Sequence, residues 1–138
     1  MKNQYFLKDK KAELYRQVTA KDTSGKYPTT KKFMVAELAA PLWCYAKQTS
    51  QSLYNAVSIL DLTAEDRFFV FNNNAALAQQ RFILYRGEWY EIDRVDTQDD
   101  YNGDMFVYAN IAKLGDRPSA DEVKPYGWKP EDDGYISN

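Results

Sequence analysis

The sequence predicts a mainly β domain: a small antiparallel β-barrel or sandwich with one short helical segment and an extended C-terminal tail. Three observations predict it. Eleven Tyr, seven Phe and three Trp supply 15% of the 138 residues, and aromatic side chains favour half-buried strands over helix interiors. Residues 81–96, RFILYRGEWYEIDRVD, set Gly87 between two apolar, aromatic arms, which is the pattern of a tight β-hairpin. Asn102-Gly103 follows shortly after, and this dipeptide suits a two-residue turn whose central positions both need positive φ.

The elements follow in order along the chain. Glu13–Ala20 alternates, with Leu14, Arg16 and Val18 opposite Tyr15, Gln17 and Thr19, the period of a strand. Asp22–Gly25 reads as a turn, and Lys31–Val35 as the returning partner. Leu42–Gln48 starts directly after Pro41, a residue that suits the first position of a strand. Between Thr49 and Glu65 helical and extended readings are balanced, and the polar opening Thr-Ser-Gln-Ser marks a long connection. Asp66–Asn72 is a strongly β-prone run stopped by three asparagines at 72–74, and Ala75–Gln80 is a helix former of one or two turns.

Arg81–Ile111 then reads as a three-stranded meander. On its middle arm Tyr90 and Ile92 share one face, opposite Glu91 and Asp93, so Gly87, Tyr90 and Ile92 form the expected core of the hairpin. Residues 1–115 form the barrel-like domain. Residues 116–138 hold three of the five prolines and read as the tail, with Tyr126 and Trp128 as anchors that dock on a neighbouring subunit or fold back on their own domain.

No run of 18 apolar residues is present, so no membrane partner is expected. The opening stretch is charged throughout and lacks the apolar core of a secretory signal. Cys44, the single cysteine, sits in an apolar run and reads as a buried structural thiol of a protein made in a reducing cytoplasm. The net charge of −2 hides an asymmetry: residues 1–50 carry ten Lys/Arg against four acids, a net of +6, and the rest carry eight against sixteen, a net of −8. On separate surfaces these halves attract head to tail between copies; interleaved by strand pairing, they decorate one mixed surface.

The sequence has no histidine, which removes imidazole acid–base catalysis, Ser-His-Asp and Cys-His schemes and His-containing zinc sites. It also lacks GxGxxG, GxxxxGK[ST] and HExxH. No catalytic, cofactor-binding or metal residue is therefore expected, and the chain reads as a non-enzyme. Asp96, Asp99, Asp100 and Asp104 cluster about the second hairpin turn, either as ligands of a divalent ion or as an ordinary solvated turn, and their spacing is not that of a calcium loop. Lys8, Lys10, Lys11, Arg16, Lys31 and Lys32, interleaved with Tyr5, Phe6 and Tyr15, suit phosphate contact and base stacking on an OB-like barrel. The acidic balance of the whole chain points away from nucleic acid, and lysines on strand edges also serve to discourage aggregation.

Three segments in this order, PLWCYAKQTSQS, TAEDRFFVFNNN and RFILYRGEWYEIDRVDTQDDYNGDMFVYANIAK, resemble the head–tail joining (head-closure, stopper or neck-connector) family of tailed bacteriophages. Phe69–Phe71 stands in that family's f-x-i-R strand, Gly87 at its hairpin turn, and Tyr90 and Ile92 in its Y-x-I pair; the likeness covers about Glu13–Lys113. Asn72 follows where the family often carries Arg, and the tail extends past the usual end.

The resemblance implies a structural virion protein, made in the bacterial cytoplasm and resident in the phage neck. It would form a homo-oligomeric ring between portal or adaptor proteins and tail proteins, retaining packaged DNA and letting it pass through a central channel. It also implies that Thr49–Glu65 lines that channel, with Ser52, Leu53, Tyr54, Asn55 and Asp61 as candidate channel residues. That stretch holds two acids and no Lys or Arg, as a surface that DNA must slide past requires. The rival readings are a tail-terminator or minor capsid protein of the same virion, an OB- or SH3-like nucleic-acid-binding barrel, and a carboxylate-based metal-dependent hydrolase.

Overall fold

The computed structural model describes residues 6–48, 66–98 and 103–137. Among them the chain forms β1 (Lys10–Asp22), β2 (Thr29–Ala36), β3 (Leu42–Gln48), β4 (Arg67–Phe71), β5 (Phe82–Tyr85), β6 (Glu88–Gln98), β7 (Asp104–Ile111), β8 (Val123–Lys124) and β9 (Ile136–Ser137). All belong to one sheet of order β3-β4-β7-β6-β5-β1-β2-β8, in which β3 also pairs with β1 and β9 joins β1. The β3–β1 pairing turns β1, β3, β4, β7, β6 and β5 into a hydrogen-bonded, barrel-like ring of antiparallel neighbours. The sheet is mixed because β8 pairs parallel to β2.

Strand β1 organises the molecule. Lys10–Ala12 pairs with β3, Glu13–Tyr15 pairs with β5, and Tyr15–Asp22 pairs with β2. Its first half therefore belongs to the ring, and its second half leaves as a two-stranded arm. The simple alternation expected for Glu13–Ala20 breaks at this exit. Leu14 packs inside the ring and Tyr15 is buried on the opposite face, while Arg16 is exposed and Val18 only half-buried.

The core lies inside the ring and draws on all six of its strands: Ala12 and Leu14, Cys44, Phe69 and Phe71, Ile83 and Tyr85, Tyr90 and Ile92, and Met105, Val107 and Ala109. Phe69 is its centre, with ring centroids 5.8 Å from Phe71, 5.5 Å from Tyr85 and 5.8 Å from Tyr90. Each such fully buried aromatic contributes roughly 1.5–3 kcal/mol of transfer free energy. The run Phe68–Phe71 is buried throughout because Phe68 faces outward into a second aromatic layer, described below.

The hairpin at the centre of the sequence forms with Tyr85 paired to Glu88 across a two-residue loop. Arg86 at φ 50° and Gly87 at φ 79° both lie in the left-handed region, the mark of a type I′ turn whose twist matches the flanking strands. Tyr90 and Ile92 are buried as the alternation requires. Asp66–Asn72 likewise contains the expected strand, and β5, β6 and β7 form the expected meander, with Asn102 of its second turn outside the described residues.

Ala75–Gln80 departs from its expected helical turns. Asn74 captures the start of the segment, its side-chain oxygen accepting from Ala76 N–H at 2.9 Å and its carbonyl from Leu77 N–H at 3.1 Å. Gln80 then takes φ 69° so that its N–H reaches the Ile92 carbonyl at 3.3 Å. Asx chemistry at one end and sheet pairing at the other outweigh six residues' helix propensity. Among the described residues, short helical turns lie instead at Leu114–Asp116, Ala120–Glu122 and Pro130–Asp133.

Candidate assembly surface

Several of the charged residues that suggested chemistry are held in ion pairs. Asp96 accepts a two-pronged contact from Arg94, at 3.0 Å from Nε and 2.9 Å from Nη2. Asp104 is only 9% exposed and pairs with Lys8 at 3.0 Å. Asp99 and Asp100 lie outside the described residues, as do Ser52, Leu53, Tyr54, Asn55 and Asp61 of the candidate channel loop. Among the described residues no group of three or more potential metal ligands gathers, and no helix is long and apolar enough to cross a membrane.

Of the aromatic side chains proposed for base stacking, Tyr15 and Phe6 are spent on packing, and Tyr5 lies outside the described residues. Tyr15 is buried against Trp89, with centroids 4.9 Å apart. Phe6 sits edge-on over the outer face of β3, β4 and β7, 5.2 Å from Tyr45, 5.4 Å from Phe106 and 6.4 Å from Phe68. With the Lys8–Asp104 pair it fastens the N-terminal arm along the outside of the ring. Continuous burial of Phe68–Phe71 follows, since β4 has the core on one side and this arm on the other.

Next to that layer the outer surface changes character. Trp43 remains 53% exposed, with Lys11 Nζ 4.7 Å from its ring centre. Lys11, Glu13 and Tyr15 follow one another on the outer face of β1. Glu13, Tyr15, Ala36, Pro41, Lys124 and Tyr126 line a groove of about 420 Å³ where the chain bends between β2 and β3. Tyr126, on its rim, is 60% exposed. Tyr15 O–H donates to Glu13 Oε2 at 3.1 Å, and burial together with the neighbouring carboxylate pushes its hydroxyl up to about 12. Tyr15 is therefore a fixed neutral wall of the groove rather than an acid or base at ordinary pH.

Of the two anchors expected in the tail, Trp128 folds back on its own domain. Its ring lies 4.9 Å from Phe33 of β2, and Tyr135 covers the same ring from 5.1 Å. Trp128 Nε1–H donates to Asp133 Oδ2 at 2.9 Å, and Lys124 Nζ lies 3.4 Å from the same oxygen. Gly134 at φ 85° closes the turn, bringing Tyr135 N–H to the Pro130 carbonyl at 3.0 Å. Tyr126 takes no part in this cluster.

Two functional residues are invisible to pattern reading. Asp66, 1% exposed, accepts the Ile111 N–H at 2.5 Å and so ties the start of β4 to the end of β7. Phe6 is the other in its role alone: the sequence offers it for base stacking, and nothing local shows that it packs on Tyr45 and Phe106 instead. Cys44 is fully buried, and burial pushes its thiol up to about 12, which leaves it unreactive. In sequence the chain matches no protein-family model and no curated protein.

Proposed function

We propose that this chain is a structural subunit of the neck of a tailed bacteriophage, a head-closure ring protein and not an enzyme. It retains packaged DNA and offers the surface to which the tail attaches. The observation that carries the reading is the division of the aromatic residues. The ring interior is filled by side chains from all six strands, while Trp43 on β3 and Tyr126 on the rim of an outside groove stay exposed. A packed interior suits a building block, and exposed aromatic anchors are what oligomer interfaces draw on. The order of the three motif segments supplies the phage context, and the opposite charges of the two halves suit heterologous contacts that close into a ring.

Light scattering after size exclusion, with negative-stain microscopy, tests it on the purified chain alone and on the chain mixed with tailless, DNA-filled heads of the encoding phage. Closed rings, free or seated on the heads, are expected. A chain that stays monomeric in both settings and binds oligonucleotides with a steep salt dependence contradicts the reading and favours the nucleic-acid barrel.

A further inference from the structure

The two-stranded arm made by the second half of β1 with β2 projects two unprotected edges, and the C-terminal tail covers both. Val123–Lys124 pairs with Met34–Val35 on the outer edge of β2. Ile136–Ser137 pairs with Lys21 and Ala20 on the opposite edge of β1. Between these two grips Trp128 and Tyr135 lie across Phe33, burying it with Ala20 and Val35. The tail is a clasp closed on the arm, and unpaired edges of this kind are templates for strand addition.

We infer that in the assembled protein the arm of each copy is clasped by the tail of an adjacent copy, so that residues 123–137 pass from subunit to subunit. This rests on the proposed ring. The clasp is a unit in itself, held by the Trp128–Asp133–Lys124 contacts, by Tyr135 N–H on the Pro130 carbonyl and by Ser137 Oγ–H on Glu131. It can therefore move without being rebuilt. Its connection to the ring, residues 113–122, contains no buried residue, and Leu114 within it is 81% exposed.

Ten residues extended span at most about 33–36 Å, roughly the width of a small domain, so the connection reaches a neighbour. Charge favours the docking. Residues 16–32 carry Arg16, Lys21, Lys26, Lys31 and Lys32 against Asp22, a net of +4. Residues 113–137 carry Lys113, Arg117, Lys124 and Lys129 against Asp116, Asp121, Glu122, Glu131, Asp132 and Asp133, a net of −2. Exchange between copies keeps every contact of the closed clasp, and neighbours in a ring meet at high effective concentration.

A disulfide trap across the β9–β1 ladder tests the exchange. The full chain carrying Lys21→Cys and Ile136→Cys is assembled, oxidised, and run on a denaturing gel without reductant. The buried Cys44 stays out of the reaction. A ladder of two, three and more linked chains is expected at concentrations where light scattering reports rings, collapsing to one linked chain on dilution to monomer. A single-chain band alone, with rings present, overturns the exchange and leaves the proposed ring standing. Absence of rings at any concentration and on heads overturns both. Should Lys21→Cys disturb folding, Ala20→Cys with Ser137→Cys on the next rung of the same ladder gives the same reading.

Discussion

The strand ring and the β1–β2 arm share one continuous strand, yet different forces hold them. The ring is closed by backbone pairing and filled from every strand, with Phe69 in contact with three further aromatic rings. The arm has only a small cluster, Ala20, Phe33 and Val35 under two tail aromatics, with a two-residue ladder on each edge, and Met34 packs it against the ring beside Tyr15, Phe82 and Trp89. The ring is therefore expected to unfold cooperatively, and the arm to open locally at lower free energy. Such a division suits the proposed ring subunit, which would fold first and join an assembly later.

Substitutions that strike one region and spare the other break or sharpen this contrast. Tyr90→Ala empties the ring beside Phe69 and frees the Arg67 Nε–H that donates to Tyr90 at 3.2 Å. A loss of about 3–5 kcal/mol is expected, read as a single shifted denaturant transition. A stable, assembly-competent Tyr90→Ala protein would remove Tyr90 from the core. Asp66→Ala leaves the half-buried Ile111 N–H without its acceptor and costs about 1 kcal/mol, again over the whole ring. Gly87→Ala meets no neighbouring atom but holds a side chain at φ 79°, for a loss of about 1 kcal/mol.

Trp128→Ala has a different signature. Amide exchange is expected to rise through residues 16–36 while β4, β6 and β7 keep their protection. A uniform loss of protection instead would show that ring and arm unfold together.

pH separates the regions from opposite directions. Burial raises Tyr15 from 10.0 and Cys44 from 9.0, each to about 12. The folded state keeps protons that the unfolded chain has lost, so their contribution is complete below pH ~9 and disappears as pH rises towards ~12. Tyr15→Phe should flatten the alkaline loss of the ring. On the arm, the connection and the clasp, Asp22, Asp121 and Glu131 are held below their usual values, chiefly by the hydroxyls of Ser24, Ser119 and Ser137. Their contribution is present above the ordinary carboxylate range and is lost as pH falls through the lowered values. Acid is thus expected to loosen the clasp first, read as arm exchange rising before the ring unfolds.

Local rules made the ring readable from the residues. A Gly turn between aromatic arms, an alternating strand and a continuous apolar run each report burial that neighbours in sequence largely determine. The arm's covering was harder to read. Nothing in residues 116–138 has a period, since two-residue ladders and single rings on Phe33 leave no pattern, so no local signal separates the packed Trp128 from the exposed Tyr126. Phe6 and Asp66 act through partners about 40 to 100 residues away, at Tyr45, Phe106 and Ile111, a distance at which pattern carries no information. Ala75–Gln80 misled because intrinsic propensity yielded to Asn74 and to the pairing of Gln80.

In the proposed ring the exposed Trp43 and the groove-rim Tyr126 join copies of this chain. Sedimentation of Trp43→Asp/Tyr126→Asp beside the unaltered chain, with thermal melts of both, tests it most directly. Aromatic anchors at interfaces are worth about 2 kcal/mol or more each, so rings from the unaltered chain and a monomeric double variant with an unchanged melt are predicted. A double variant that assembles as well as the unaltered chain would contradict the claim.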